Sequence, residues 1–232
     1  MATDSITIKS ADGLDFDAYV ARPKAGGPHP VVVVIQEIFG VNKFVRGVAD
    51  MLAEQGFIAV APDLFHRQEK NVQLTDQTEA EWKRAFGLMN GFDQDKGVAD
   101  LCDTVNAAKK LEGANGKVGT VGFCLGGRMA FLMSTRGNSD CDVGYYGVGL
   151  ENNVGDTVKH PLTLHIAELD EYCPKEAREK ILAAWGNDDK VTIYVYAGVD
   201  HGFGRVGGKH YNKEAADLAH KRTIEFFKKH IG

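Results

Sequence analysis

Gly122-Phe123-Cys124-Leu125-Gly126 constrains this chain more than any other segment. It lies between an apolar strand pattern, Lys117 to Val121, and a helix pattern that runs from Arg128 to Met133. A strand that turns at once into a helix leaves its central side chain strained and exposed. The flanking positions then need glycine, because two backbones pass too close there for a larger residue. The same turn aims the free amides of the helix, and the positive end of its dipole, at whatever the central side chain attacks. A thiol at that point reads as a nucleophile.

The rest of the chain supplies a sheet for this elbow. Ser5 to Lys9 and Leu14 to Val20 alternate as two antiparallel strands do, with Ala11-Asp12-Gly13 as their turn. Val31 to Ile35 is continuous and mostly β-branched, as in a strand buried on both faces of a parallel sheet. A helix pattern covers Phe44 to Gln55 and stops at Gly56, and Phe57 to Ala61 reads as the next strand. His66 to Thr78 is polar and reads as loop. Helix patterns follow from Glu79 and from Asp93 to Leu111, with a turn at Gly113 to Gly116. Beyond the elbow, strands are expected at Val143 to Val148, Leu162 to Ala167 and Val191 to Tyr196, with helices at Lys175 to Trp185 and Lys213 to His230. Strands that alternate with helices imply a mainly parallel sheet covered on both faces. No repeat or linker divides the chain, so one domain spanning residues 1–232 is expected.

Composition removes several functional classes. A net charge of −5 leaves no basic footprint for nucleic acid and no polybasic membrane patch. The longest aliphatic run, Val31 to Ile35, is too short to cross a bilayer. Cysteines 102, 124, 141 and 173 lack metal-ligand spacing, so no metal or organic cofactor is expected. Met1 to Ser5 has neither a basic start nor an apolar run, and a cytoplasmic protein with reduced thiols is expected.

A cysteine nucleophile needs a base, and the base needs a carboxylate to orient it. His201 lies in the loop after the last strand pattern and is the best-placed histidine. His165 sits inside a strand pattern and reads as core, whereas His220 and His230 on the last helix read as solvent-facing. Glu168, Asp170 and Glu171 all follow the strand Leu162 to Ala167, and spacing does not choose among them. Nucleophile, acid, histidine is the chain order of α/β hydrolases. Glu37 directly follows the most apolar strand, where a charge must be paired or functional. The loop after that strand commonly gives an oxyanion hole its second amide, so Ile38 and Leu125 form the expected donor pair.

At these residues the chain resembles the dienelactone hydrolase family, which is built on the α/β-hydrolase fold. The matching segments are Gln36 to Asn42, Pro62 to Phe65, Gly122 to Gly127, Gly144 to Glu151 and His201 to Arg205. The resemblance implies a single-domain, twisted, mainly parallel sheet and a triad of Cys124, His201 and Asp170. It gives Glu37 the role of taking the thiol proton when substrate arrives, and Arg205 that of gripping a substrate carboxylate. It implies ring opening of a small anionic enol-lactone during aromatic or chloroaromatic degradation, through a thioester, by a chain expected to act as a monomer or a homo-oligomer. Two positions depart from the family pattern. Trp82 stands where a second carboxylate-binding arginine is expected, with Lys83 or Arg84 as replacements, and Gly202 stands where the pattern has serine. Phe39, Trp82 and Phe86 are expected to wall the pocket. Tyr145 and Arg67 are pocket candidates too, with core packing and a surface ion pair as their alternative roles. A general carboxylesterase or thioesterase, or a ligand-binding module without turnover, is the alternative function.

Overall fold

Successive side chains of a strand point to opposite faces, so a strand covered on both sides must be apolar at every position. β3 (His29–Ile35) meets that demand from Val31 onward. Val32 and Val34 enter one core while Val31, Val33 and Ile35 enter the other. All five are fully buried, each worth roughly 1.5–3 kcal/mol on transfer from water. β3 accordingly lies inside the sheet, between β4 (Ile58–Pro62) and β5 (Ala114–Phe123), and runs parallel to both.

A computed structural model describes residues 2–232, so Met1, the start of the expected domain, lies outside the described residues. Eight strands form one sheet in the order β1-β2-β4-β3-β5-β6-β7-β8. β1 (Ala2–Ile8) and β2 (Phe16–Arg22) form the antiparallel edge. β6 (Cys141–Tyr145), β7 (Leu162–Ala167) and β8 (Val191–Tyr196) extend the parallel part. One core packs α1 (Lys43–Glu54) and α6 (Lys213–His230) on the sheet through Phe44, Val45, Leu52 and Phe227. The other packs α3 (Gln94–Ala108), α4 (Leu125–Arg136) and α5 (Lys175–Trp185) through Leu101, Phe131 and Trp185. The architecture is a single-domain α/β fold, as expected. No helix among the described residues is long and apolar enough to cross a membrane.

Local signals account for most boundaries. The Asn42 side chain accepts the amides of Phe44 and Val45 and starts α1, and Gly56, at φ +94°, follows its end. Thr78 caps α2 (Glu79–Asn90) by accepting from the Glu81 amide, while Glu81 accepts from the Thr78 hydroxyl. Other boundaries shift by a few residues, and three differences bear on the site. The expected turn at Gly113 to Gly116 is largely the start of β5, α4 begins at Leu125, and β6 stops at Tyr145. The last stop has a backbone cause: Tyr146 takes φ +36°, which no strand accommodates.

The segment from His66 to Thr78 is loop in the structure, but it is stitched to the loop after β3. The Leu74 amide donates to the Phe39 carbonyl at 2.9 Å, and Asn42 Nδ2 donates to the Leu74 carbonyl at 2.9 Å. These bonds carry Asp76 to the rim where the parallel strands end.

Candidate active site

The nucleophile, the acid, the histidine and the charged groups of the site leave the carboxyl end of a parallel strand or a loop that reaches it, the usual place for ligands in open α/β sheets. Cys124 follows β5 with φ 56° and ψ −115°, a backbone state that costs a non-glycine residue about 1–3 kcal/mol. The surroundings hold it there. Its amide donates to the Tyr145 carbonyl at 3.0 Å, and its carbonyl accepts from the Arg128 amide at 3.1 Å. A Cβ at Gly122 would strike the Gly126 carbonyl, and one at Gly126 would strike the carbonyls of Ile35 and Gln36. The elbow is as tight as the sequence pattern requires.

The other thiols have different surroundings. Burial pushes Cys102 and Cys141 up and raises Cys173 to about 11, so these three keep their protons at neutral pH. Cys124, in contrast, lines a cavity together with His201.

His201 Nδ1 lies 2.8 Å from Asp170 Oδ2. Asp170 is 2% exposed, and its other oxygen accepts the Tyr172 amide at 2.9 Å. Glu168 turns instead to the Gly198 amide, and Glu171 is exposed. Of the three acids after β7, Asp170 is the one that meets the histidine. Burial alone would lower His201. The charge that Cys124 carries once its proton is lost, together with the hydrogen bond to Asp170, outweighs burial and carries the imidazole up to about 10. The ring is also held edge-on by Tyr146 and Tyr172, with centroids at 5.0 and 4.9 Å.

Opposite this chain of groups lies an incompletely bonded ionic cluster. Glu37 is 1% exposed, and neither of its carboxylate oxygens has a hydrogen-bond partner. Arg205 Nε stands 3.6 Å from Glu37 Oε2, and Nη1 stands 3.5 Å from Asp76 Oδ2. Charge-assisted bonds of good geometry run nearer 2.7–2.9 Å. Burial therefore raises Glu37, with Arg205, His201 and the nearby Tyr146 hydroxyl opposing the shift. The Arg205 guanidinium rests over the Phe39 ring at 5.1 Å. Gly202 explains its own departure from the family pattern. It takes φ +78°, and a Cβ there would meet the Arg205 guanidinium.

The cavity is about 180 Å³ and is walled by Phe39, Trp82, Phe86, Met89, Val148 and Tyr172. Trp82, Phe86 and Met89 share one face of α2, and Trp82 packs edge-on against Phe39. Ile38 and Leu125 lie beside Cys124. Leu125 opens α4, so its amide has no intrahelical acceptor, and the Ile38 amide meets no backbone acceptor among the described residues.

Several expectations are corrected. Tyr145 is fully buried and hydrogen-bonds Thr223 at 2.7 Å, so it belongs to the core and not to the pocket. Its neighbour Tyr146 faces the site, because the backbone leaves the strand there. Arg67 pairs with Asp100 and Asp12, away from the cavity. Lys83 and Arg84 do not replace the missing arginine: both are exposed, and Arg84 pairs with Glu69. His220 is half-buried against Tyr145 rather than solvent-facing. His165, by contrast, is core as expected, hydrogen-bonded to Tyr196 and Thr223. The sequence reading missed Tyr146 and Asp76. No spacing signal marks Asp76. The glycine after Tyr146 was the only hint of a backbone break.

An antiparallel edge on a parallel sheet, a strained elbow and an acid–histidine pair at the strand ends define an α/β hydrolase. The model of the dienelactone hydrolase family matches residues 16–231, and the chain belongs to that family. A carboxymethylenebutenolidase of Pseudomonas putida is 41% identical over 97% of this chain and 96% of its own. A chain of Azospirillum brasilense reaches 51% over 98% of this chain and 99% of its own. A solved structure from Klebsiella pneumoniae subsp. pneumoniae superposes with a TM-score of 0.84 at 28% identity, covering 99% of this chain and 100% of the other.

Proposed function

We propose that this chain is a cysteine-dependent hydrolase that opens a carboxylated enol-lactone through a thioester on Cys124. One observation carries the reading: a single small cavity holds Cys124, His201 and a buried arginine whose donors are not fully bonded. A nucleophile at one end and an unsatisfied cation at the other suit a substrate with an acyl group and a carboxylate. A volume of about 180 Å³ admits one small ring.

At rest Glu37 lies against Arg205. A substrate carboxylate binds the guanidinium bidentately and displaces Glu37 toward Cys124, whose thiol proton it takes. The thiolate then attacks the lactone carbonyl, and the amides of Ile38 and Leu125 hold the oxyanion. The ring carbon–oxygen bond breaks, leaving a thioester and an enolate. The enolate, or His201 oriented by Asp170, takes a proton from water, and the hydroxide cleaves the thioester. Cys124 recovers its proton as the carboxylate product leaves. Keeping the thiol protonated until substrate binds spares it from oxidation. Lactones of this kind arise when aromatic or chloroaromatic rings are opened, which would place the chain in such degradation.

A second reading has its own observation. Trp82 puts an apolar wall where a second arginine is expected, and the remaining Arg205 is already faced by two carboxylates. That suits a carboxylesterase for neutral esters. Ring opening of cis- and trans-dienelactone, followed by ultraviolet absorbance in wild type and Arg205→Ala, separates the two. Lactone turnover with a KM at least about tenfold higher in Arg205→Ala supports the anion clamp. Faster cleavage of p-nitrophenyl acetate than of either lactone, unaffected by Arg205→Ala, favours the esterase.

A further inference from the structure

Asp76 is a charged group beside the site that the roles above leave unused. It sits between two anchors. Its backbone carbonyl accepts from Trp82 Nε1 at 3.0 Å, and its Oδ2 accepts from the Lys209 amide at 3.2 Å. The side chain is 5% exposed and faces Arg205 at Nη1, whereas Glu37 faces Nε. A second, larger cleft of about 760 Å³ lies behind it, lined by Asp76, Arg205 and Phe39 among others. Arg205 thus forms a partition between this cleft and the Cys124 cavity, with one carboxylate on each side.

We propose that Asp76 is a positioning residue that holds the Arg205 guanidinium from behind, so that Glu37 is free to leave it when a substrate carboxylate arrives. The inference rests on the proposed anion-triggered reading. The charge count supports it. At rest two carboxylates share one guanidinium, and a bound substrate carboxylate makes three. Transfer of the Cys124 proton to Glu37 removes one negative charge from that crowd and places it on the thiolate, beside His201. Without Asp76, Glu37 would be the sole counter-ion of a buried arginine, and releasing it would be costly. The Asp76 charge also raises Glu37, which suits it to accept a proton. Trp82 acquires a role as well: its indole fixes the loop that carries Asp76.

The test compares wild type, Asp76→Asn and Trp82→Phe. For a carboxylated lactone, Asp76→Asn should bind more tightly but turn over more slowly, KM and kcat each falling about fivefold. The acidic limb of its pH–rate profile should move to lower pH, because Glu37 loses a repelling neighbour. Trp82→Phe should move KM and kcat in the same directions by less. KM and kcat that do not fall together, or an unshifted limb, would overturn the proposal, since a purely structural role moves neither in this pattern. A second readout stands apart from lactone turnover: crotonate inhibition of p-nitrophenyl acetate cleavage. Its inhibition constant should fall about fivefold in Asp76→Asn, and an unchanged constant would also overturn the role. Absence of lactone turnover in wild type would instead sink the lactone reading, leaving crotonate inhibition to decide on Asp76. Thermal melts of the variants identify any that fail to fold, and Trp82→Phe then carries the comparison.

Discussion

Around Cys124, glycines let backbones touch with no side chain between them, and both the amide and the carbonyl of the cysteine are bonded. Around Arg205, a buried guanidinium with two unbonded donors faces two carboxylates at 3.5 and 3.6 Å, and one of these carboxylates has no hydrogen bond at all. The first region stores strain in a backbone that its neighbours over-determine. The second stores unsatisfied polar groups, each costing about 1–3 kcal/mol. A strained elbow presents one atom in one place. An under-bonded cluster is free to exchange partners, as an anion-triggered step requires.

The largest effect should come from removing the close approach that fixes the elbow. Gly126→Ala would drive a Cβ into the carbonyls of Ile35 and Gln36. We expect a loss of more than about 4 kcal/mol in urea unfolding, or no folded protein. A loss under about 1 kcal/mol would show that the elbow adapts, and the contrast between the two regions would fail.

Glu37→Gln probes the other region and should separate function from stability. Removing a buried carboxylate that makes no hydrogen bond, with Asp76 still facing Arg205, should leave the melting temperature unchanged or raised, while kcat for the lactone falls about 10²-fold. A strongly destabilised variant would mean that the Glu37–Arg205 pair is a structural bond.

The His201 titration links the two ends. A folded-state value raised from 6.5 to about 10 contributes stability that is full below about pH 6.5 and is lost as pH rises through about 10. The stability advantage of wild type over His201→Asn should therefore shrink across that window. Ionised Cys124 is the largest influence raising His201, so in Cys124→Ala, which has no thiolate to form, the imidazole should titrate well below 10 by NMR. A midpoint unmoved by that substitution would uncouple the pair.

The smallest effect belongs to the wall. Phe86 is 37% exposed, so Phe86→Ala should raise KM only about threefold without changing kcat. A tenfold change would mean that the mouth of the cavity grips substrate more closely than its exposure indicates.

What the sequence disclosed follows the same division. The elbow was legible because its cause is local: a strand, a turn that needs glycine and a helix lie within a dozen residues. β3 was legible because only continuous apolar side chains satisfy two cores. The roles of Tyr145 and Tyr146 were not legible, because the strand period continues through both and the positive φ at Tyr146 leaves no compositional mark. Asp76 was illegible for a different reason. It lies in a polar loop whose path is set by hydrogen bonds to Phe39, Asn42 and Trp82, none of which the loop's own residues encode. Gly202 shows the reverse case: the departure was visible, but its reason, room for Arg205, needed the fold.

A thioester on Cys124 would show in the intact mass of the protein after rapid acid quench during turnover of dienelactone, with Cys124→Ala alongside. An adduct of one substrate mass that maps to Cys124 is expected in wild type, with neither adduct nor turnover in the variant. Lactone turnover retained in Cys124→Ala would contradict it.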